Sequence, residues 1–98
     1  MQSIKHCVKR DGRLVRFDKN RIKNAISEAF VESNEGNPYI AKQVTESVIE
    51  RITRSYIELV PNVEQIQDFV EDTLMKLNFR QTAKRYIIYR ELKNRERE

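Results

Sequence analysis

Apolar residues recur every three or four positions in most of this chain and alternate in one short stretch. Ile22, Ala25, Ile26, Ala29 and Phe30 make a first stripe. Ile40, Val44, Val48, Ile49 and Ile52 make a second, and Val63, Ile66, Val70, Leu74 and Leu77 a third. Such spacing puts each set on one face of an α-helix. In a fourth stretch Ala83, Tyr86 and Ile87 face inward, with Tyr89 at the margin of that face. The pattern predicts helices over about 19–33, 38–55, 63–77 and 80–95. Start and stop signals agree with it. Asp18 is a good N-cap, Pro38 suits a first turn, and Asn62 with Gln65 three residues on resembles a capping box. Asn78 breaks the third stripe.

The alternating stretch lies at the start. Residues 3–10 and 13–17 are strand-like and flank Asp11-Gly12, a two-residue hairpin signal. That turn pairs Arg10 with Arg13, Lys9 with Leu14 and Val8 with Val15. It sends Val8, Val15 and Phe17 toward a core and sets two arginines face to face, which is unfavourable unless an anion sits nearby. Tyr56 to Val60 could extend the second helix or form a short third strand, and the strand is favoured, since β-branched and aromatic residues precede Pro61. The product is one α+β, mostly α domain over residues 1–98: a hairpin at about 3–17 and a four-helix bundle capped by a small three-stranded sheet.

Charge sharpens this picture. Residues 1–23 hold eight Lys/Arg and two Asp, a net +6 in a chain whose total is +4. Residues 24–79 sum to −6 and residues 80–98 to +4. Two basic ends around an acidic middle converge on one anion site if the termini pack side by side. Lys19, Arg21 and Lys23 stand in the first turn of a helix, which is already electropositive. Polyphosphate is the natural ligand for such a place.

Several classes are excluded or disfavoured. No catalytic constellation is visible, and His6 is the only histidine. Cys7 is the only cysteine, so neither an internal disulfide nor a zinc spacing is available. With only Gly12 and Gly36, a glycine-rich phosphate loop is absent, and cationic side chains must hold any nucleotide. No apolar run reaches the ~20 residues of a membrane span, and no secretory h-region opens the chain, so a cytoplasmic setting is expected. Tyr86 and Tyr89 could stack on a base, with core packing the role expected of at least one.

Four blocks carry a family resemblance: Val8-Lys9-Arg10-Asp11-Gly12-Arg13; Phe17-Asp18 with Arg21-Ile22; Val63-Glu64-Gln65-Ile66-Gln67-Asp68; and Ala83-Lys84-Arg85-Tyr86-Ile87-Ile88-Tyr89-Arg90. Together, over about residues 4–95, they closely resemble the ATP-cone domain, the allosteric activity module at the N-terminus of many ribonucleotide reductases. The ending Tyr-Ile-Ile-Tyr-Arg looks most like the anaerobic, glycyl-radical reductases and some cobalamin-dependent ones. The resemblance implies a regulatory domain without chemistry of its own. ATP or dATP would be its allosteric ligand, with magnesium an optional companion. Its partner would be a reductase catalytic domain, and a nucleotide-dependent homo-oligomer is compatible with it. Carried over by position, Lys9 and Arg10 would contact phosphates. Val15, Arg16, Phe17, Asp18, Lys19 and Arg21 would wall the site. Gln67 would reach the nucleotide from the third helix and Lys93 from the end of the last.

This chain departs from the aerobic pattern at Val15, often glutamate there, and at Val63, often threonine. Base or ribose recognition is therefore expected to differ. The family also includes a bacterial repressor of reductase genes, whose cone follows a four-cysteine zinc ribbon. The residues ahead of position 4 offer none, so the chain alone is not expected to be that repressor. Two rival readings stand beside the reductase module. One is a standalone cone acting on a partner protein. The other is a small nucleic-acid-binding domain, suggested by a pI near 9.4 and the basic hairpin; the acidic middle argues against it.

Overall fold

Each helix begins where a side chain accepts its first free N–H groups. The computed structural model describes residues 4–55 and 60–96. Helix α1 spans Lys19–Ser33, and the Asp18 carboxylate accepts from the Asn20 N–H at 3.0 Å. It ends at Asn34, which takes the left-handed conformation at φ 60°. Helix α2, Pro38–Ser55, opens with proline at its first position, and the Asn37 side chain accepts from the Ile40 N–H at 2.9 Å. Helix α3, Val63–Lys76, carries the full capping box: Gln65 N–H to Asn62 at 2.8 Å, and Asn62 N–H to the Gln65 side chain at 2.9 Å. Asn78, at φ 69°, turns the chain out of it.

Helix α4, Arg80–Glu96, borrows its cap from elsewhere. Glu35, in the α1–α2 loop, accepts from the Thr82 N–H at 2.6 Å and the Thr82 hydroxyl at 2.7 Å. The carboxylate can only accept, so the Ser33 hydroxyl donates to Thr82 Oγ1, 2.7 Å away. The four helices form a square in which α1 touches α2 and α4, and α3 touches the same two. Phe30, Ile26, Val44, Val48, Ile52, Val70, Leu74 and Ala83 fill the centre. Phe30 meets Phe79 edge to face at 5.1 Å.

The hairpin consists of β1, His6–Val8, and β2, Leu14–Arg16. Its pairing is His6 with Arg16, Cys7 with Val15 and Val8 with Leu14, one residue off the register that Asp11-Gly12 suggested. Lys9 N–H donates to the Arg13 carbonyl and Gly12 N–H to the Lys9 carbonyl, both at 2.9 Å. The loop is therefore the three residues Arg10, Asp11 and Gly12, and of these only Gly12 has a positive φ, 89°. A one-residue slip exchanges the faces. Cys7, not Val8, joins Val15 and Phe17 against the core, beside Ile4. Arg10 and Arg13 do not oppose each other: Arg13 pairs with Asp11 at 2.7 Å, and Arg10 reaches across to α3.

Two apolar assignments also change. Leu77 is 46% exposed, since it follows the last turn of α3, and Ile87 is 42% exposed on the outer side of α4. Thr82, Ala83 and Tyr86 form the buried side of α4. The described sheet has two strands. The expected third strand falls largely on residues 56–59, outside the described residues. Beyond them, Pro61 accepts from the Val8 N–H at 3.0 Å, and Asn62 forms a single parallel bridge with Val8.

Candidate functional site

The Val8–Pro61 hydrogen bond lays the hairpin beside the first turn of α3. Arg10 Nε donates to Glu64 Oε1 at 2.7 Å, and its Nη2 pairs with the same oxygen. Glu64 is the second residue of α3, where the helix N-terminus favours an anion. Its other oxygen accepts from Arg90 Nη2 at 2.9 Å. Arg90 also reaches Asp68 at 2.9 Å and Glu71 at 3.0 Å, and its side chain is only 14% exposed. An ionic chain thus runs from the hairpin tip through α3 to α4. Hydrogen bonds from Arg10 and then from Arg90 hold the Glu64 carboxyl below the ordinary carboxylate range. Burial opposes the Arg90 charge, but its bonds to Glu64, Asp68 and Glu71 outweigh that and hold it above its ordinary value.

A second cationic group lies under the hairpin. Burial pushes the Cys7 thiol up, while the charges of Lys9 and Arg21 pull it back. Both cations therefore stand near the same inner-face residue, one from the hairpin and one from α1. Among the described residues neither has an ion pair. On α4 the rings of Tyr86 and Tyr89 lie 6.1 Å apart, and Lys93 Nζ stands 5.8 Å from the centre of the Tyr89 ring. Gln67 Oε1 on α3 and Asn94 Oδ1 on α4 are buried without a hydrogen-bond partner. Native proteins rarely leave such atoms unsatisfied.

Residues 5–95 match the family model of the ATP cone domain. The chain belongs to the ATP-cone family. Across 97% of its length it is 42% identical to a vitamin B12-dependent ribonucleoside-diphosphate reductase of Thermoplasma acidophilum, of which it covers 13%. It is 34% identical, over 86% of its length, to a ribonucleoside-diphosphate reductase subunit alpha of Chlamydia trachomatis, covering 9% of that protein. Against an anaerobic ribonucleoside-triphosphate reductase of Haemophilus influenzae it is 37% identical over 85% of its length and 12% of the relative's. The cone thus spans about an eighth or less of these relatives.

The cone divides the residues singled out from sequence into groups. Lys9 and Arg21 both act on the charge of the Cys7 thiol, and Arg10 stands at the hairpin tip above α3. Val15 and Phe17 are half-buried and pack against the core, so they present apolar surface. Asp18 is committed to capping α1. Arg16 pairs with His6 on the strand positions that alternate away from Val15, so it lies on the hairpin's outer face. Lys19 lines a different, shallow cleft with Lys23 on α1 and Lys42, Thr45 and Glu46 on α2. Gln67 and Lys93 sit on α3 and α4.

Sequence reasoning missed Arg90, Glu64, Asp68 and Glu71 as interacting groups. The signal was present. Glu64, Asp68 and Glu71 are spaced four and three apart, one face of α3, and Arg90 lies four residues past Tyr86 on the inner side of α4. Among the described residues no three His, Cys, Asp or Glu side chains are placed to hold a metal. Nor, among them, is any helix long and apolar enough to cross a membrane.

Proposed function

We propose that this cone binds adenine nucleoside triphosphates, ATP and dATP, and passes its occupancy to the catalytic part of a ribonucleotide reductase. The observation that carries the reading is the basic hairpin, where Lys9 and Arg21 both act on the buried Cys7 thiol and Arg10 stands at the tip, with Glu64 the one carboxylate paired to any of them among the described residues. Cations on the hairpin and on α1 answer a polyphosphate, and side-chain donors to charged oxygens make the strong class of hydrogen bond. Gln67 Oε1 fits the same ligand, because it is an acceptor without a donor and a nucleotide brings donors on base and ribose. Lys93 adds a cation from α4, and Tyr89 beside it an aromatic face. The parent reductase, a nucleotide-dependent assembly and a cytoplasmic setting belong to this reading.

Regulation then follows from differential affinity. A nucleotide shifts the reductase only by the difference between its binding to the two states. ATP and dATP differ by one hydroxyl, so opposite outputs require that a group in the pocket senses the ribose. Calorimetric titration of the 98-residue chain with ATP and dATP, with and without magnesium, tests the reading. Saturable binding that Lys9→Ala and Arg21→Ala each weaken by roughly ten- to 150-fold is expected, from about 1.5–3 kcal/mol per charged hydrogen bond. No heat and no displacement with either nucleotide overturns it. Tight, salt-sensitive binding to an oligonucleotide in their place would favour a nucleic-acid partner.

A further inference from the structure

Arg10 and Arg90 share one carboxylate but depend on it unequally. Arg10 has Glu64 as its ion-pair partner, and the pair stands at the solvent edge, 37% and 41% exposed. Arg90 has Glu64, Asp68 and Glu71, and is sheltered. Loss of Arg10 would leave Glu64 still satisfied by Arg90. Loss of Glu64 would leave Arg90 with two carboxylates. The Arg10–Glu64 contact is therefore the exchangeable link of the chain. Glu64 also occupies the second position of α3, where the helix end attracts negative charge. A phosphate approaching Arg10 would meet this carboxylate already in place.

We propose that Glu64 is an internal competitor of the triphosphate: it holds Arg10 in the empty cone, and nucleotide binding exchanges that contact for one between Arg10 and a phosphate oxygen. Glu64 thereby sets the affinity of the site and tunes it by phosphate number, without serving as a ligand contact. The inference rests on nucleotide binding as proposed above. It accounts for a carboxylate placed where the ligand's own charge would otherwise be unopposed. The competing carboxylate lowers the affinity, so occupancy can follow concentration. Because the same carboxylate holds Arg90, release of Arg10 leaves Glu64 wholly to α4, and the exchange is felt beyond the pocket.

The test compares the chain with Glu64→Gln, Arg10→Ala and the double variant by calorimetry with ATP, ADP and AMP. Glutamine keeps the shape of the side chain, and the Asn62–Gln65 capping box does not involve it, so the fold is retained; circular dichroism checks this. Glu64→Gln is expected to tighten ATP binding by up to roughly fivefold, the upper range of an exposed ion pair. The gain should fall from ATP to ADP to AMP and largely vanish in the Arg10→Ala background. Wild-type binding that Glu64→Gln leaves equal or weaker overturns the exchange while nucleotide sensing stands. An undiminished gain in the Arg10→Ala background also overturns it, by showing simple repulsion. A wild-type chain that binds no ATP removes the nucleotide reading itself. A direct readout is the Glu64 carboxyl, followed by carbon NMR during titration with inorganic tripolyphosphate. Its titration midpoint should move up toward the ordinary range as Arg10 leaves, and an unmoved midpoint at saturation counts against the exchange.

Discussion

Glu35 shows how much one side chain can fix. Its carboxylate leaves the α1–α2 loop to cap α4, binding both the N–H and the hydroxyl of Thr82. Burial works against its ionisation, but the Thr82 bonds and a Gln81 N–H outweigh that and hold the carboxyl below its ordinary value of 4.5. A carboxyl depressed by folding stabilises at pH above its unfolded value, and the benefit is lost as pH falls through the folded one. Glu35→Gln should cost about 0.5–2 kcal/mol at neutral pH, the range of a lost helix cap. Urea melts at pH 7 should show that loss. Between pH 7 and the acid side of 4.5 the variant should lose less stability than the parent. Nothing in the loop's composition announces this role: the capping residue and the helix it caps are 47 positions apart. Local caps, by contrast, were legible, because Asp18 and the Asn62–Gln65 pair act within three residues.

Among the elements, the helices and the hairpin were legible to different degrees. The stripe of α1, and Ile66, Val70 and Leu74 of the α3 stripe, reappear as buried residues, because a 3.6-residue period over several turns leaves one answer. The hairpin had two. Asp11-Gly12 accommodates a two-residue turn with both residues at positive φ, or a three-residue loop with only Gly12 there. The second relieves Asp11 of strain and frees its carboxylate to accept from the Arg13 N–H at 3.1 Å. It also places Cys7 and Val15 inward together. Gly12→Ala should therefore destabilise the hairpin through backbone strain, by about 1–2 kcal/mol, since no heavy atom lies within 4 Å of the added methyl. A comparable loss in thermal melts, with unchanged helix content, is the expected result. On α4 the search for apolar partners selected Ile87, whereas the inner side continues through Arg90, a charged residue sheltered by its own carboxylates.

For the molecule as a whole, the charge blocks read from sequence become specific bonds. The basic start and the basic last helix meet on acidic α3, through Arg10 and Arg90 on Glu64. Arg90→Ala should cost more than any surface ion pair, about 2–4 kcal/mol, because three carboxylates would lose a sheltered counter-charge. Denaturant midpoints measure it. The same variant should gain stability from added salt, which screens the remaining repulsion. ATP and dATP should raise the melting temperature of the parent chain, by mass action on the folded state. That rise should shrink as ionic strength climbs, since a phosphate contact at a surface site is screened. The excess of cations near the hairpin was legible from sequence, and the carboxylate that Arg10 meets was not. Excess positive charge stands out along a chain, while the acid that neutralises it is found only by knowing which helix lies alongside.

Cys7 gives the cone a built-in clock. It is the chain's one cysteine, buried between hairpin and bundle, with its thiol held toward the protonated form by that burial. An alkylating reagent can reach the sulfur only when the hairpin lifts away. The labelling rate therefore reports how much of the time the hairpin is lifted, or how often it lifts where alkylation outpaces reclosing, with no residue changed. If a triphosphate pins the hairpin to α1 and α3, labelling should slow as the nucleotide is added, and the concentration that halves the rate should match the affinity measured by heat. Agreement between the two would tie occupancy of the pocket to closure of the lid of strands above it.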